Sequence, residues 1–206
     1  MLAHYCRVIA LNAPKAGAGR KSAEDRRESI LNAAFRLVVR KGLHQVTTAA
    51  VSREAGIAAG TLFLYFPTKE ALLNALYVSL IRRRFERITA GLEGTTAEKF
   101  RTFWFTWARW YLDEPEVTQV IQQFEVSTLL TEDSIAVREA LDDAIYRMFL
   151  PDSAVIHSVP LLKQVQYALI VGPILVLAQL RDKREVPITD QLLEETYRRV
   201  RRALED

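Results

Sequence analysis

Residues 47–66, with the sequence TTAAVSREAGIAAGTLFLYF, form the stretch whose residue types and spacing indicate contact with a large polyanion. They predict two short helices with Gly56 at the junction, and the hydroxyl of Thr47 can cap the first of them. Small residues at the crossing let the helices approach closely, and a basic helix precedes them. This arrangement is typical of a helix-turn-helix inside a three-helix unit. Its short last helix can enter a DNA major groove, which is about 12 Å wide.

The chain offers few groups for catalysis or metal binding. His4, His44 and His157 fall in a tail, a turn and a loop, without Cys, Ser or carboxylate at a recognised spacing. Neither a phosphate-binding glycine loop nor a metal-binding His pair is present in the sequence. The carboxylate pairs at 132–133 and 142–143 are typical of solvated surface or helix caps. An enzyme stays open as an alternative, because catalytic triads assemble across long separations. We expect a protein that is not an enzyme, with no cofactor and no metal.

The composition predicts a folded, helical protein. The 206 residues are 50% hydrophobic and include three Trp, seven Tyr and nine Phe, enough for a sizeable core. Eight Gly and seven Pro are too few for the frequent turns of an all-β fold, which favours long helices. The single cysteine, Cys6, excludes a disulfide framework within one chain and fits a reducing compartment.

Positive charge is concentrated at the amino end. The net charge of +3 divides into +6 for residues 1–70 and −3 for residues 71–206. This asymmetry favours a polyanionic partner, either nucleic acid or an anionic membrane, over ordinary uneven surface charge. Arg7 interrupts the apolar start of the chain, so we expect no signal peptide. The strongest apolar run, 167–180, is shorter than the roughly 20 residues of a membrane span. We therefore expect a cytoplasmic protein with no membrane partner.

Hydrophobic spacing predicts nine helices and no strand after a flexible basic tail at residues 1–23. The predicted helices lie at about 23–41, 48–55, 59–65, 69 to the glycines at 91–94, 97–112, 116–130, 134–150, 161–180 and 188–204. Pro173 is expected to kink the eighth helix, because proline removes one backbone hydrogen bond.

Residues 55–72, AGIAAGTLFLYFPTKEAL, closely resemble the signature of the tetracycline-repressor (TetR-type) family of bacterial transcriptional regulators. The preceding Arg27-x-x-Ile30-Leu31-x-Ala33-Ala34 and Gly42-x-x-x-x-Thr47-Thr48 fit the same pattern. The resemblance covers residues 24–80, and beyond Leu80 only the helical layout agrees. It implies an all-α chain in which a three-helix helix-turn-helix DNA-binding domain, 24–68, is followed by a six-helix ligand-binding and dimerisation domain, 69–206.

The resemblance also implies which residues meet DNA. Thr47 and Thr48 correspond to positions near the sugar-phosphate backbone, and Lys69 to a phosphate contact. Ala58 and Ala59 stand where relatives often carry Ser followed by Lys or Arg, so the third helix lacks a cap and two polar contacts. The implied DNA-binding residues are Thr47, Thr48, Ala58, Ala59, Gly60, Thr61, Phe63, Leu64, Tyr65 and Lys69.

The resemblance implies an effector pocket within the second domain and a homodimer formed by the last two helices. An aromatic pocket lining would select a hydrophobic or flat small molecule, although the same side chains could simply fill the core. The expected pocket residues are Trp104, Trp107, Phe124 and Met148. The expected dimer contacts are Leu169, Val176, Leu180, Leu192, Tyr197, Val200 and Leu204.

Taken together, these features predict a ligand-responsive DNA-binding transcriptional regulator. We expect a repressor that binds a palindromic double-stranded DNA operator as a homodimer. The alternative is a helical carrier or sensor of hydrophobic molecules whose DNA binding is weak or lost. Ala58, Ala59, Phe63 and Leu64 motivate this alternative, because they bring few polar groups to the third helix.

Overall fold

The structure, a computed structural model, describes residues 22–149, 160–184 and 187–205. Within these ranges every element of regular secondary structure is a helix. The predicted all-α fold is confirmed. A 3-10 turn at Leu43–Gln45 separates the first two helices. The nine helices of the described ranges are α1 (Ala23–Lys41), α2 (Thr48–Ala55), α3 (Ala59–Tyr65), α4 (Lys69–Thr89), α5 (Thr96–Asp113), α6 (Pro115–Glu125), α7 (Glu132–Phe149), α8 (Pro160–Arg184) and α9 (Asp190–Glu205). Residues 1–21 of the predicted tail lie outside the described residues.

Side-chain caps set the starts of α1, α2 and α4 where the sequence predicts them. The hydroxyl of Ser22 accepts a hydrogen bond from the Asp25 amide at 3.0 Å, and the Asp25 carboxylate accepts one from the Ser22 amide at 2.9 Å. The hydroxyls of Thr47 and Thr68 cap α2 and α4 by accepting from the amides of Ala50 and Ala71. Gly56 ends α2 with φ +67°, a left-handed conformation that favours glycine.

The sixth helix differs from its prediction. It was expected to reach residue 130, but α6 ends at Glu125. The Asn74 side chain explains the difference, because its amide donates to the Leu129 carbonyl at 2.9 Å and accepts from the Thr131 amide at 2.9 Å. These contacts replace helical hydrogen bonds for the segment after α6. The eighth helix is longer than its predicted range of 161–180, because α8 continues past Pro173 as far as Arg184.

The helices form a small head, α1–α3, and a larger body, α4–α9. In the head α1 packs against α2 and α2 packs against α3, and the side chains of Val38, Val51 and Leu62 are fully buried. α4 contacts α1 in the head and α5, α6 and α7 in the body, and α6 also contacts α1, so both helices link the two parts. None of the described helices is long and apolar enough to cross a membrane.

Candidate nucleic-acid interface and ligand site

The third helix is held in the head by one side and exposes the other. Leu62 is completely buried, and Phe66 directly after the helix is also buried beneath the guanidinium of Arg27, which lies 5.3 Å from its ring centroid. The outer side carries Phe63, which is 47% exposed, and Leu64, which is 85% exposed. We call this exposed apolar side of α3, formed by Phe63 and Leu64, the ridge.

The start of α3 is small and uncapped, as the sequence predicts. Ala58, Ala59 and Gly60 are all exposed, and Ala58 makes no side-chain cap. A Cβ atom at Gly60 would meet nothing within 4 Å, so packing within this chain does not require a glycine there. Thr61 and Tyr65 are half-buried along the flank of the helix.

The start of α2 and the start of α4 lie beside the turn that precedes the helix-turn-helix. Lys69 is exposed, and its ammonium Nζ donates to the carbonyl of His44 at 3.4 Å. Thr47 follows His44 closely in sequence, and its hydroxyl accepts from the Ala50 amide at 3.2 Å. Thr48 is half-buried. One cation and two hydroxyl residues named by the sequence thus lie near the same turn.

An ion-pair clamp fixes α2 against α1. The carboxylate of Glu54 accepts from Arg36 Nε at 2.9 Å and from Arg40 Nη2 at 2.5 Å. The hydrogen bonds from Arg36 and Arg40 lower the pKa of the Glu54 carboxyl. All of these groups keep partial solvent contact, so the clamp sets the orientation of α2 more than it adds stability.

The four predicted ligand residues do not share one site. Trp104 is fully buried and donates to the Ile170 carbonyl at 3.3 Å. Trp107 and Phe124 are also buried. Met148, however, is 40% exposed, because it lies on the outer face of α7, so its expected place in an interior pocket is wrong in this structure. The grouping of the other three stays a prediction.

A charged residue that sequence reasoning missed occupies the interior of the body. Arg84 on α4 is only 5% exposed, and the carboxylate oxygen of Glu125 with which it forms an ion pair lies 3.9 Å from its Nη1, beyond hydrogen-bond length. Burial acts to lower the pKa of Arg84, but electrostatic interactions with Tyr167, Tyr111, Glu125 and Asp142 together raise it, so the guanidinium stays charged. The signal in the sequence was the spacing of Tyr77, Ile81, Arg84 and Ile88 on one face of α4.

Tyrosines from three helices interact electrostatically with Arg84. Burial raises the pKa of Tyr77 to about 12, and it raises the pKa values of Tyr111 and Tyr167, while the positive charge of Arg84 opposes the increase at each. Tyr77 comes from α4, Tyr111 from α5 and Tyr167 from α8. We call these four residues the buried polar centre.

Two carboxylates border the buried polar centre. Burial raises the pKa of Asp142 on α7 to about 6 and raises that of Glu125 at the end of α6. Arg84 and Arg138 oppose both increases without cancelling them. Desolvation is therefore stronger than ion pairing at each carboxylate.

Several polar atoms near this centre lack hydrogen-bond partners within the described part of the chain. They include the Tyr77 hydroxyl and the indole nitrogens of Trp107 and Trp110. The Trp107 ring lies 5.8 Å from that of Tyr167, and the Trp110 ring lies 5.2 Å from that of Tyr111. An unsatisfied buried polar group costs about 1–3 kcal/mol, so each needs an explanation.

A separate apolar cavity opens at the other end of the body. It has a volume of about 280 Å³ and lies between the start of α5 and the helices α8 and α9. Arg201 lines both this cavity and a neighbouring, arginine-rich depression of about 400 Å³. None of the four predicted ligand residues lines either cavity. The lining of the apolar cavity is Thr96, Ala97, Phe100, Phe149, Ile170, Tyr197, Arg201 and Leu204.

The expected dimer contacts divide into two groups. Leu169, Val176 and Leu192 are 40%, 54% and 36% exposed, so they are free to meet a second surface, while Leu180 and Leu204 are half-buried. Tyr197 and Val200 are only 4% and 5% exposed, so their assignment as dimer contacts is wrong in this structure. The physical reason lies within the subunit.

The ring of Tyr197 packs against three aromatic rings of α5. Its centroid lies 5.7 Å from that of Trp104, 5.5 Å from that of Phe105 and 6.1 Å from that of Phe100. The strongly amphipathic α9 therefore turns its Tyr197 face toward α5 rather than toward a second chain.

Two polar contacts join the body to the turn that precedes α2. The Gln123 side chain on α6 accepts from the Leu43 amide at 3.0 Å, and Lys69 at the start of α4 donates to the His44 carbonyl as described above. Both α4 and α6 are thus in direct contact with the turn that leads to Thr47.

A three-helix head with an exposed last helix, joined by one long helix to a helical body, defines the chain as a helix-turn-helix protein of two parts. Residues 30–76 match the family model for bacterial regulatory proteins of the tetR family. This match begins within α1 and ends within α4, so it covers most of the head and the first turns of the body.

Similar proteins are described as HTH-type transcriptional regulators. The chain is 32% identical over 112 residues to an uncharacterized HTH-type transcriptional regulator of Haemophilus influenzae, over 52% of this chain and 58% of that protein. It is 40% identical over 72 residues to the transcriptional repressor KstR of Mycolicibacterium smegmatis, over 35% of this chain and 33% of that protein. These matches therefore span about a third to somewhat more than half of the relatives' lengths.

The likeness of fold extends over most of the chain. The structure superimposes on a TetR family transcription regulator of Marinobacter aquaeolei with a TM-score of 0.74, over 85% of this chain and 93% of that chain, at 21% identity. At this identity the comparison establishes the fold of the head and body together.

Proposed function

We propose that the chain is a ligand-responsive DNA-binding transcriptional regulator that acts in the cytoplasm as a homodimer, and that it represses transcription from a palindromic operator. The observation that carries the proposal is the exposed ridge of α3, where Leu64 is 85% exposed on a helix anchored by the fully buried Leu62. A short helix that is fixed on one side and bare on the other has the shape that a major groove accepts.

Phosphate and base contacts have different sources in this proposal. Lys69 and the amides and hydroxyls at Thr47 and Thr48 would bind phosphates and so orient the head. Phe63, Leu64 and the alanines of α3 would read base edges through apolar contact with thymine methyl groups. Gly60 would let the helix backbone approach the DNA, because it places no side chain on the ridge.

The homodimer would form on the exposed side of α8. Val165, Leu169 and Val176 are 47%, 40% and 54% exposed, and their spacing places them on one stripe of that helix. Gly172 falls within the stripe, and a Cβ atom there would meet nothing within 4 Å in this chain. A second α8 could therefore approach closely, and the resulting two-fold axis would present two α3 helices to one duplex.

Ligand response would pass through α4 and α6. A ligand bound in the body would bias α6, and the Gln123–Leu43 contact would carry the shift to the turn beside Thr47 and Lys69. The ligand would release DNA if it bound more tightly to a state in which the two α3 helices are misplaced. The relative KstR is named a transcriptional repressor, which supports repression as the outcome.

The test is DNA-binding anisotropy with the intergenic DNA next to the gene, between about 50 and 200 mM salt. We expect affinity to fall steeply with salt and Lys69→Ala to reduce the slope of log affinity against log salt by about one. Arg82→Ala, which removes an exposed cation farther along α4, is the matched control and should leave the slope unchanged. Equal effects of the two variants would remove Lys69 from the interface.

The alternative function is a carrier or sensor of hydrophobic molecules without DNA binding. The uncapped start of α3, where Ala58 and Ala59 offer no polar side chain, is the observation that favours it. The same titration separates the two functions, because a carrier would bind no DNA at the lowest salt concentration.

A further inference from the structure

We propose that the ligand of the helical body is an organic anion, a carboxylic acid with an apolar or aromatic remainder, and that Arg84 binds its carboxylate. This inference rests on the proposed function only in calling that ligand the effector. Binding itself can be measured on the chain alone, without DNA.

The first argument is the isolation of a charge that is already buried. Arg84 is 5% exposed and has five N–H donors, yet the ion pair that the structure gives it, with Glu125, spans 3.9 Å. A guanidinium binds a carboxylate best through two parallel hydrogen bonds, which this separation does not allow. Folding has already removed Arg84 from water, so an incoming carboxylate would find a preorganised cation.

The second argument is the kind of unsatisfied group that lies nearby. The indole nitrogens of Trp107 and Trp110 can only donate, and the Tyr77 hydroxyl can donate as well. With Arg84 they bring four donor groups to an interior whose two bordering carboxylates, Glu125 and Asp142, both have pKa values that burial raises. A carboxylate has only acceptors when it is ionised, so it complements this set, whereas a cationic or purely apolar ligand would leave the donors unsatisfied.

The third argument concerns the internal competitor for Arg84. Glu125 stands at the carboxyl end of α6, and its side chain is 30% exposed. Burial raises its pKa in spite of Arg84, so the pairing does not compensate for its desolvation. Glu125 can therefore turn toward solvent when a ligand carboxylate takes its place, and this movement would occur on the same helix that carries Gln123.

The surroundings favour an apolar remainder on the ligand. The rings of Tyr77 and Phe124 lie 5.4 Å apart, and Trp107 packs against both Phe103 and Tyr167. A flat or aliphatic body could be buried among these rings while its acid group reaches Arg84.

Three probes with the same alkyl chain and different head groups test the proposal: decanoate, decanol and decyltrimethylammonium. Phenylacetate serves as a smaller acid. All three tryptophans of the chain lie on α5, so their fluorescence reports on the interior, and thermal shift gives an independent reading. We expect at least one of the acids to bind about tenfold or more tightly than decanol and the cation.

Substitutions locate the head group. Arg84→Met should weaken binding of the acid about tenfold or more and leave decanol nearly unchanged. Arg82→Met, a neighbouring exposed arginine, is the matched control and should change neither. Glu125→Gln should tighten the acid, because it removes the competing negative charge, and it keeps the test decisive if Arg84→Met does not fold.

Several results would overturn the proposal. They are the absence of binding by either acid, equal binding of the three head groups, tightest binding of the cation, or no tightening in Glu125→Gln. Loss of acid binding in Arg201→Met but not in Arg84→Met would place the ligand in the apolar cavity instead. DNA binding measured on the ligand-free chain separates the two proposals, because its failure leaves acid binding at Arg84 unaffected.

Discussion

The head and the body depart from the usual distribution of side chains in opposite directions. In the head, α3 exposes Leu64 to 85% and Phe63 to 47%, whereas in the body α4 buries Arg84 to 5% exposure. Large exposed apolar groups are common singly, but an almost fully buried cation is rare without a close partner. The exposed apolar side chains of the head are therefore accessible to a macromolecule. The buried guanidinium of Arg84 in the body is accessible only to a small molecule.

The largest expected effect separates the two sides of α3. Leu62→Ala should lower the free energy of unfolding by about 2–5 kcal/mol, because it opens a cavity in the core beneath α3. Leu64→Ala should change that free energy by less than about 0.5 kcal/mol but weaken DNA binding. Urea unfolding and DNA anisotropy measure the two quantities. A large loss of stability in Leu64→Ala would show that the ridge is covered by protein.

The second prediction concerns the buried carboxylate of the body. The pKa of Asp142 rises from 3.8 to about 6 on folding, so the folded chain holds this proton more tightly than the unfolded chain. The stability of the natural chain should therefore fall as pH rises through this window. Asp142→Asn should raise the free energy of unfolding at pH 7.5 by about 1–3 kcal/mol.

The pH dependence provides the control for Asp142. The advantage of Asp142→Asn should disappear at pH values below the unfolded pKa of 3.8, where both states of the natural chain are protonated. Glu139→Gln, at an exposed position on the same helix, should change stability by less than about 0.5 kcal/mol at either pH. An advantage that does not vary with pH would contradict the desolvation of Asp142.

The third prediction compares two glycines of the helix-turn-helix. Gly56 has φ +67°, so Gly56→Ala should cost about 1–2 kcal/mol of folding free energy. Gly60 lies in α3 with open space around its Cβ position, so Gly60→Ala should stabilise the chain by about 0.5 kcal/mol. The same change should weaken DNA binding, because a methyl group would be added to the ridge. Unchanged DNA affinity would show that the backbone of α3 does not approach the duplex closely.

The head was predictable from sequence because its structure is set locally. Ser22, Thr47 and Thr68 cap helices through residues only three positions away, and Gly56 ends α2 by its own conformation. The contact surface of α3 follows from the same short segment, since burial of Leu62 fixes which side of a seven-residue helix faces outward. The roles of individual residues toward DNA remain predictions.

The body was less predictable because distant residues decide its details. α6 ends early because of Asn74, which is 55 positions from Leu129. The resemblance predicts Tyr197 as a dimer contact, but its ring packs against aromatic rings of α5 within the same chain. Arg84 sits among three consecutive arginines, at 82–84, and only the packing of α4 decides that the third is buried.

The smallest expected effect reverses the sign found at Asp142. In the head, Arg36 and Arg40 lower the pKa of Glu54, so this carboxylate stabilises the fold above its unfolded pKa of 4.5 and loses that contribution as pH falls through its lowered folded pKa. Because the Glu54 side chain is 24% exposed, Glu54→Gln should cost only about 0.3–1 kcal/mol at pH 7.

The two acids should therefore respond to pH and salt in contrasting ways. Lowering the pH should abolish the cost of Glu54→Gln, and raising the salt concentration should reduce it, since the clamp is partly exposed. The advantage of Asp142→Asn should also vanish in acid but should depend little on salt, because desolvation is its main cause. Equal salt sensitivity of the two variants would show that solvent reaches Asp142 as freely as Glu54, and would remove the contrast between an outward-facing head and an inward-facing body.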